Sequence, residues 1–256
     1  MSLKPKLEAI IEEFFGLGGN HDLTKHKEYR DKVFNLIKDE ELCLDTEDKN
    51  FILATDFIRF IDADRAYART TNSREAYHYA KPFLERFMES DLNKWDYYDL
   101  KLLIASIHFT ENIDQSVALA SKIDKRTHQF KRVRLTEMLQ ATLAVNMSAR
   151  VLNAKYFDDD VQIDLVAQFD SLLIRLECLV NEKKNKILEL FLLVAKIRWN
   201  IFNRDVSQVV SLCNNLNERF GEEIGQMIQS ESDFYMGTNV FESDQIRERD
   251  GEGLTD

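Results

Sequence analysis

Apolar residues recur every three to four positions along nearly the whole chain, the spacing of helices with one buried face. It predicts helices over 5–15, 24–40, 47–69, 74–89, 94–109, 113–125, 128–145, 147–157, 160–182, 185–203, 205–219 and 222–230. Asn and Asp stand where the rhythm breaks: Asn72, Asp91 and Asn93, Asn112 and Asp114, Asp158 to Asp160, Asn181 and Asn185, Asn203 and Asp205. Their short side chains bond to nearby backbone amides, which suits caps and turns. Pro82 is expected either to kink the helix at 74–89 or to open a new one at its first turn.

Between Asn20 and Phe220 there is no glycine at all. Tight hairpins need glycine at positive φ, and phosphate-binding loops and nucleophile elbows need it for close backbone approach. The central two hundred residues therefore hold none of these devices. The cluster Gly16, Gly18 and Gly19 is not followed by a phosphate-loop Lys-Ser/Thr and reads as a helix stop. Many helices joined by short links predict an all-α fold, a tetratricopeptide-like superhelix of antiparallel helix pairs with degenerate repeats. The standard tetratricopeptide consensus itself is absent. The expected organisation is N-terminal helices over 1–45, the repeat domain over 46–230 and an acidic tail over 231–256.

Charge narrows the chemistry. The net charge of −11 argues against a surface built to grip phosphates. The one basic stretch, 122–134, holds six basic residues and one acid, and is expected to be a solvated helix edge. Cys43, Cys178 and Cys213 are odd in number and form no paired spacing, which points to a reduced, cytoplasmic chain. The five histidines form no metal-binding pair, and Asp158 to Asp160 lack the glycine and closing Glu of a calcium loop. No cofactor, no metal and no enzymatic activity are expected, and no apolar run is long enough to cross a membrane.

The stretch DLNKWDYYDLKLLIASIHF, 91–109, carries one of the two tryptophans. Asn93 is expected to cap its helix, with Trp95, Tyr98, Leu102, Ala105 and Phe109 along one buried face. The longer segment 94–123 resembles the Rgg/MutR family of peptide-pheromone receptors, through Trp95, Tyr98, Asp99 and Leu100. A second, weaker likeness lies over 134–160, and the helical rhythm agrees across roughly 50–220. The resemblance implies a transcriptional regulator that binds a short imported peptide, switches by population shift, and pairs as a homodimer through C-terminal helices. Such regulators begin with a DNA-binding helix-turn-helix, which residues 1–50 do not show. DNA contact is therefore expected only through a domain not visible in this chain.

Two polar stripes are the candidate peptide-binding residues. In the nearly apolar helix 185–203, Lys196, Asn200 and Asn203 share one face with Glu189. In the helices around 146–157, Asn146, Arg150 and Asn153 share a face with Phe157. Asn amides suit a peptide backbone and Arg suits a terminal carboxylate. Both stripes are expected to line one groove, and their replacement to leave stability nearly unchanged. The alternative function is a scaffold or adaptor solenoid for a protein segment, and a third is a regulator holding DNA through 122–134.

Overall fold

The computed structural model describes residues 3–16, 23–39, 48–70, 73–129, 133–158 and 161–237. These residues are all-helical, with eleven α-helices and no strand among them. The chain divides into two compact units, Met1–Arg132 and Val133–Asp256. The division falls inside the span 46–230 that the periodicity groups as one domain, and the N-terminal helices belong to the first unit. Residues 238–256 of the acidic tail, like most of the glycine cluster, lie outside the described residues.

The first unit contains α1 (Leu3–Gly16), α2 (Leu23–Asp39), α3 (Lys49–Thr70), α4 (Ser73–Glu89), α5 (Tyr97–Ala105) and α6 (Ile113–Thr127). Cross-helix ion pairs fix the directions of its long helices. His26 Nε2 meets Asp64 at 2.7 Å and Arg30 Nε meets Asp62 at 3.0 Å, so α2 and α3 run antiparallel. Arg86 pairs with Asp56, which sets α4 antiparallel to α3. Phe14, Phe57, Phe60 and Phe109 stack edge-on or tilted between α1, α3 and the end of the α5 segment. Such aromatic pairs add to area burial by about 0.5–1.5 kcal/mol each. Pro82 sits inside α4, which continues through it.

The predicted helix 94–109 is divided. A 3₁₀ turn spans Leu92–Lys94, Trp95 is extended, α5 follows, and a second 3₁₀ turn covers Ser106–Phe109. The cap is Asp96, not Asn93: its carboxylate accepts the Tyr98 and Asp99 amides, while Asp99 accepts the Asp96 amide at 2.9 Å. A charged oxygen at both ends of this box beats the neutral amide of Asn93, because it also faces the positive helix end. Trp95 thus precedes the helix. It is 2% exposed, meets Phe87 edge-on at 5.5 Å and donates its indole N–H to Ser90 Oγ at 2.7 Å. Arg126 of α6 donates to its carbonyl at 2.7 Å.

The second unit contains α7 (Val133–Phe157), α8 (Leu165–Lys183), α9 (Lys186–Asn203), α10 (Val206–Phe220) and α11 (Glu222–Met236). The break expected at Asn146 does not occur. Ala144, Met147, Ser148 and Val151 around it are all buried, and this packing outweighs the weak helix propensity of one Asn. Lys183 bonds Glu137 at 2.8 Å, joining the last turn of α8 to the first of α7. Arg219 joins the last turn of α10 to Glu189 in the first of α9. Lys155 donates to the Phe202 carbonyl, so α7 and α9 end together and run the same way. α8 packs on both α7 and α9, and α10 on both α9 and α11. Ala141, Ala144 and Ala195 are fully buried, and their small side chains let α7 and α9 approach. Gly225 does the same for α11, since a Cβ there would fall 1.3 Å from Asn217 Oδ1.

The turns on either side of α9 manage without glycine. Lys184 and Arg204 take left-handed backbone conformations at φ 46° and 58°, and Asn185 and Asp205 cap the helices that follow. Each left-handed residue costs roughly 1–2 kcal/mol against the right-handed form, which the cap bonds offset.

Trp95→Ala is expected to lower stability by about 3–5 kcal/mol in urea denaturation. Trp95→Phe should lose less, because it keeps the Phe87 contact and gives up only the bond to Ser90.

Candidate functional site

The polar face of α7 points into the second unit. Arg150 is only 1% exposed, and its guanidinium holds both oxygens of Asp158, at 2.6 and 3.2 Å. Asp158 lies just past the end of α7, so the pair fixes the path by which the chain leaves that helix. The remaining Arg150 nitrogen, Nε, is buried without a hydrogen-bond partner among the described residues. Asn153 is also buried, and its amide reaches the Tyr235 hydroxyl of α11 at 3.4 Å. Asn146 is half-buried on the same helix.

The stripe on α9 is placed differently. Lys196 pairs with Glu177 of α8 at 2.8 Å. Asn200 donates to the Lys196 carbonyl at 2.8 Å and Asn203 to the Trp199 carbonyl at 3.0 Å, so both amides turn back on their own helix. Lys196 faces α8 while Asn153 faces α11, and the two stripes are not brought onto one face. Arg198 is the α9 residue that meets α7 and α11. It donates to both oxygens of Glu231, at 2.8 and 3.0 Å, to the Val145 carbonyl at 3.0 Å and to Ser148 Oγ at 3.3 Å. Two residues apart on a helix is about 200° of rotation, so Lys196 and Arg198 must face nearly opposite ways.

Where α7 and α11 end, four aromatic rings gather. Tyr156 and Tyr235 lie 5.2 Å apart, Phe157 and Phe234 6.0 Å, and Phe157 and Tyr235 6.1 Å. Phe157 and Phe234 are 52% and 54% exposed. The Tyr156 hydroxyl is buried without a partner among the described residues. Lys155 lies 3.9 Å over the Phe202 ring, and the Arg204 guanidinium lies 6.0 Å from the Tyr156 ring. Neither cation has a carboxylate partner among the described residues. Burial, and then the neighbouring Arg204, pull the Lys155 pKa down. The site therefore combines an exposed aromatic pair, the unpartnered Tyr156 hydroxyl beside it and two nearby cations. The two half-exposed Phe rings form a small contiguous apolar patch on the surface of this unit.

In the first unit, an open groove of about 530 Å³ is lined by Lys49, Ile52, Arg86, Phe87, Ser90, Lys94, Trp95 and Asp99. Its charges are largely committed. Lys49 pairs with Asp96 at 3.0 Å, and Arg86 with the buried Asp56. Burial pushes the Asp99 carboxyl up to about 6, despite the amide bond it accepts from Asp96. Burial also acts on Asp96, but Lys49 and the amides of Asp99 and Tyr98 together bring that carboxyl below its usual value. In the basic stretch, Lys122 donates to the Met88 carbonyl and Arg126 to the Asn93 and Trp95 carbonyls, so these two cations serve the fold. Among the described residues no helix is long and apolar enough to cross a membrane.

Comparison with protein-family models, with curated proteins and with solved structures found no match.

Two stability outcomes follow from these environments. Asp158→Ala leaves a buried guanidinium unpaired and should cost about 3–5 kcal/mol. Lys196→Ala removes a pair whose side chains are 40% and 45% exposed and should cost under about 1 kcal/mol. Both are read from denaturant midpoints. A third outcome concerns pH. Asp99 binds its proton more tightly folded than unfolded, so its contribution is full below about pH 4 and is lost as pH rises through about 6. Relative to Asp99→Asn, the unaltered chain should lose stability across that window; parallel pH profiles would refute the assignment.

Proposed function

We propose that the chain is a peptide-binding helical-repeat protein. Its antiparallel helix pairs belong to a tetratricopeptide-like superhelix, and it serves as the receptor part of an Rgg-like regulator. A bound peptide biases the helix stack between two arrangements, which requires a differential affinity for the two. The reading is of a binding module without catalysis.

The observation that carries it is the exposed Phe157–Phe234 pair standing over Asn153, Tyr156 and Tyr235. Aromatic anchors beside polar groups are the usual centre of a recognition surface. A peptide side chain would cover the two Phe rings, while its backbone satisfies the Tyr156 hydroxyl, which has no partner among the described residues. Arg150 supports this from below by holding the end of α7, and its Asp158 pairing leaves no free fork for a peptide carboxylate. Lys196, Asn200 and Asn203 stand outside the proposed contact.

The test uses short peptides selected from a randomised display library on the full chain, with affinity measured by fluorescence anisotropy. Phe157→Ser and Phe234→Ser are each expected to weaken binding about tenfold or more, some 1.4 kcal/mol, with little change in melting temperature. Asn200→Ala should leave affinity unaltered. Selected peptides that bind both Phe variants at full strength would place recognition elsewhere and end this reading.

A further inference from the structure

The open groove of the first unit, about 530 Å³, falls within the roughly 300–1,000 Å³ of small-molecule sites. It lies where the start of α3, the end of α4 and the start of α5 meet, and its described lining belongs wholly to that unit. Two of its cations are taken up within the fold: Lys49 meets Asp96 at 3.0 Å, and Arg86 meets Asp56, which is 2% exposed. These pairs cancel, and two charges remain. Asp99 is 7% exposed, the most buried charged group of the lining. Its Oδ2 accepts the Asp96 amide at 2.9 Å, while its other oxygen has no partner among the described residues. Burial raises its pKa to about 6, so at neutral pH it is mostly an anion. Lys94 stands exposed, and its ammonium likewise has no partner among the described residues. The apolar part of the lining comes from Ile52, Phe87 and Trp95.

We propose that this groove binds a free α-amino acid with an apolar side chain. The ligand's ammonium donates to the open oxygen of Asp99, its carboxylate meets Lys94, and its side chain lies against Ile52, Phe87 and Trp95. A buried charge is costly unless it is paired and hydrogen-bonded, and Asp99 is only half satisfied by the chain itself. With the two ion pairs cancelled, the groove offers one buried anion and one cation, and a zwitterion carries the opposite of each. A purely anionic ligand would be repelled by Asp99. A purely cationic one would leave Lys94 unanswered. The ligand also braces the start of α5, because the carboxylate it meets closes the capping box with Asp96. No residue is shared with the peptide surface of the second unit, so the two sites stand or fall separately.

The test is calorimetric titration of the full chain with L-leucine and L-phenylalanine. Each is compared with its N-acetyl form, which lacks the ammonium, and its amide, which lacks the carboxylate. At least one of the two amino acids should bind with a Kd of about 1 mM or tighter. Its N-acetyl form should bind about tenfold or more weaker, because a charged hydrogen bond to a buried group is lost. Its amide should bind about threefold weaker, because Lys94 is exposed and its pairing is screened. Asp99→Asn keeps an acceptor for the Asp96 amide and should weaken the amino acid about tenfold. Lys94→Ala should weaken it about threefold and leave the fold intact; if Asp99→Asn does not fold, this variant and the ligand series decide. Absence of binding by both amino acids at about 10 mM, or affinity unchanged in the variants, would overturn the proposal. So would N-acetyl forms that bind as well as or better than the free amino acids, which would mark an anion site instead.

Discussion

The guanidinium of Arg198 serves a carbonyl and a hydroxyl of α7 and a carboxylate of α11 at once, and the second unit is arranged around that demand. Taking a charge out of water is costly unless it is paired and fully hydrogen-bonded. That requirement sets which faces of α7, α9 and α11 can meet. Once they meet, Asn153 comes within reach of Tyr235, and the four aromatic rings fall together at the helix ends. The candidate site is thus a by-product of how a largely buried charge was satisfied. In the first unit Arg86 plays a comparable part, meeting the buried Asp56 across α3 and α4.

Helix existence was legible because apolar spacing and Asn or Asp caps are local signals. Asn112, Asp164, Asn185 and Asp205 cap helices in the structure, and all but Asp164 stand at breaks read from the periodicity. Local signals failed where packing or competing caps decided. Asn146 looked like a break, yet α7 runs through it because its neighbours are buried. Trp95 looked like the first residue of a helical face, yet Asp96 and Asp99 form the box and leave the indole outside the helix.

The site was less legible, and the reason is sequence separation. Arg150 and Asn153 stood out as polar residues on an apolar helix, but spacing alone does not say whether such a face meets solvent or a buried carboxylate. Both prove to be buried, with Arg150 paired to Asp158 and Asn153 bonded to Tyr235. Arg198 went unremarked among its apolar neighbours, although a charge between Ile197 and Trp199 was the signal available. Phe157 and Phe234 lie 77 positions apart (234 − 157), so only the fold could join them.

The left-handed residues Lys184 and Arg204 also settle a question of alignment. An apolar helix such as α9 can slide along its neighbours by one turn, about 5.4 Å, and still bury similar area. The links on either side of it are too short to absorb such a slip. Lys184 and Arg204 hold the incoming helix ends, and Asn185 and Asp205 hold the outgoing ones, with side-chain bonds to particular amides. A slip would break the cap at both ends at once. The turns therefore act as a vernier for the stack, fixing which residues of α8, α9 and α10 stand opposite one another where the greasy faces alone would not choose.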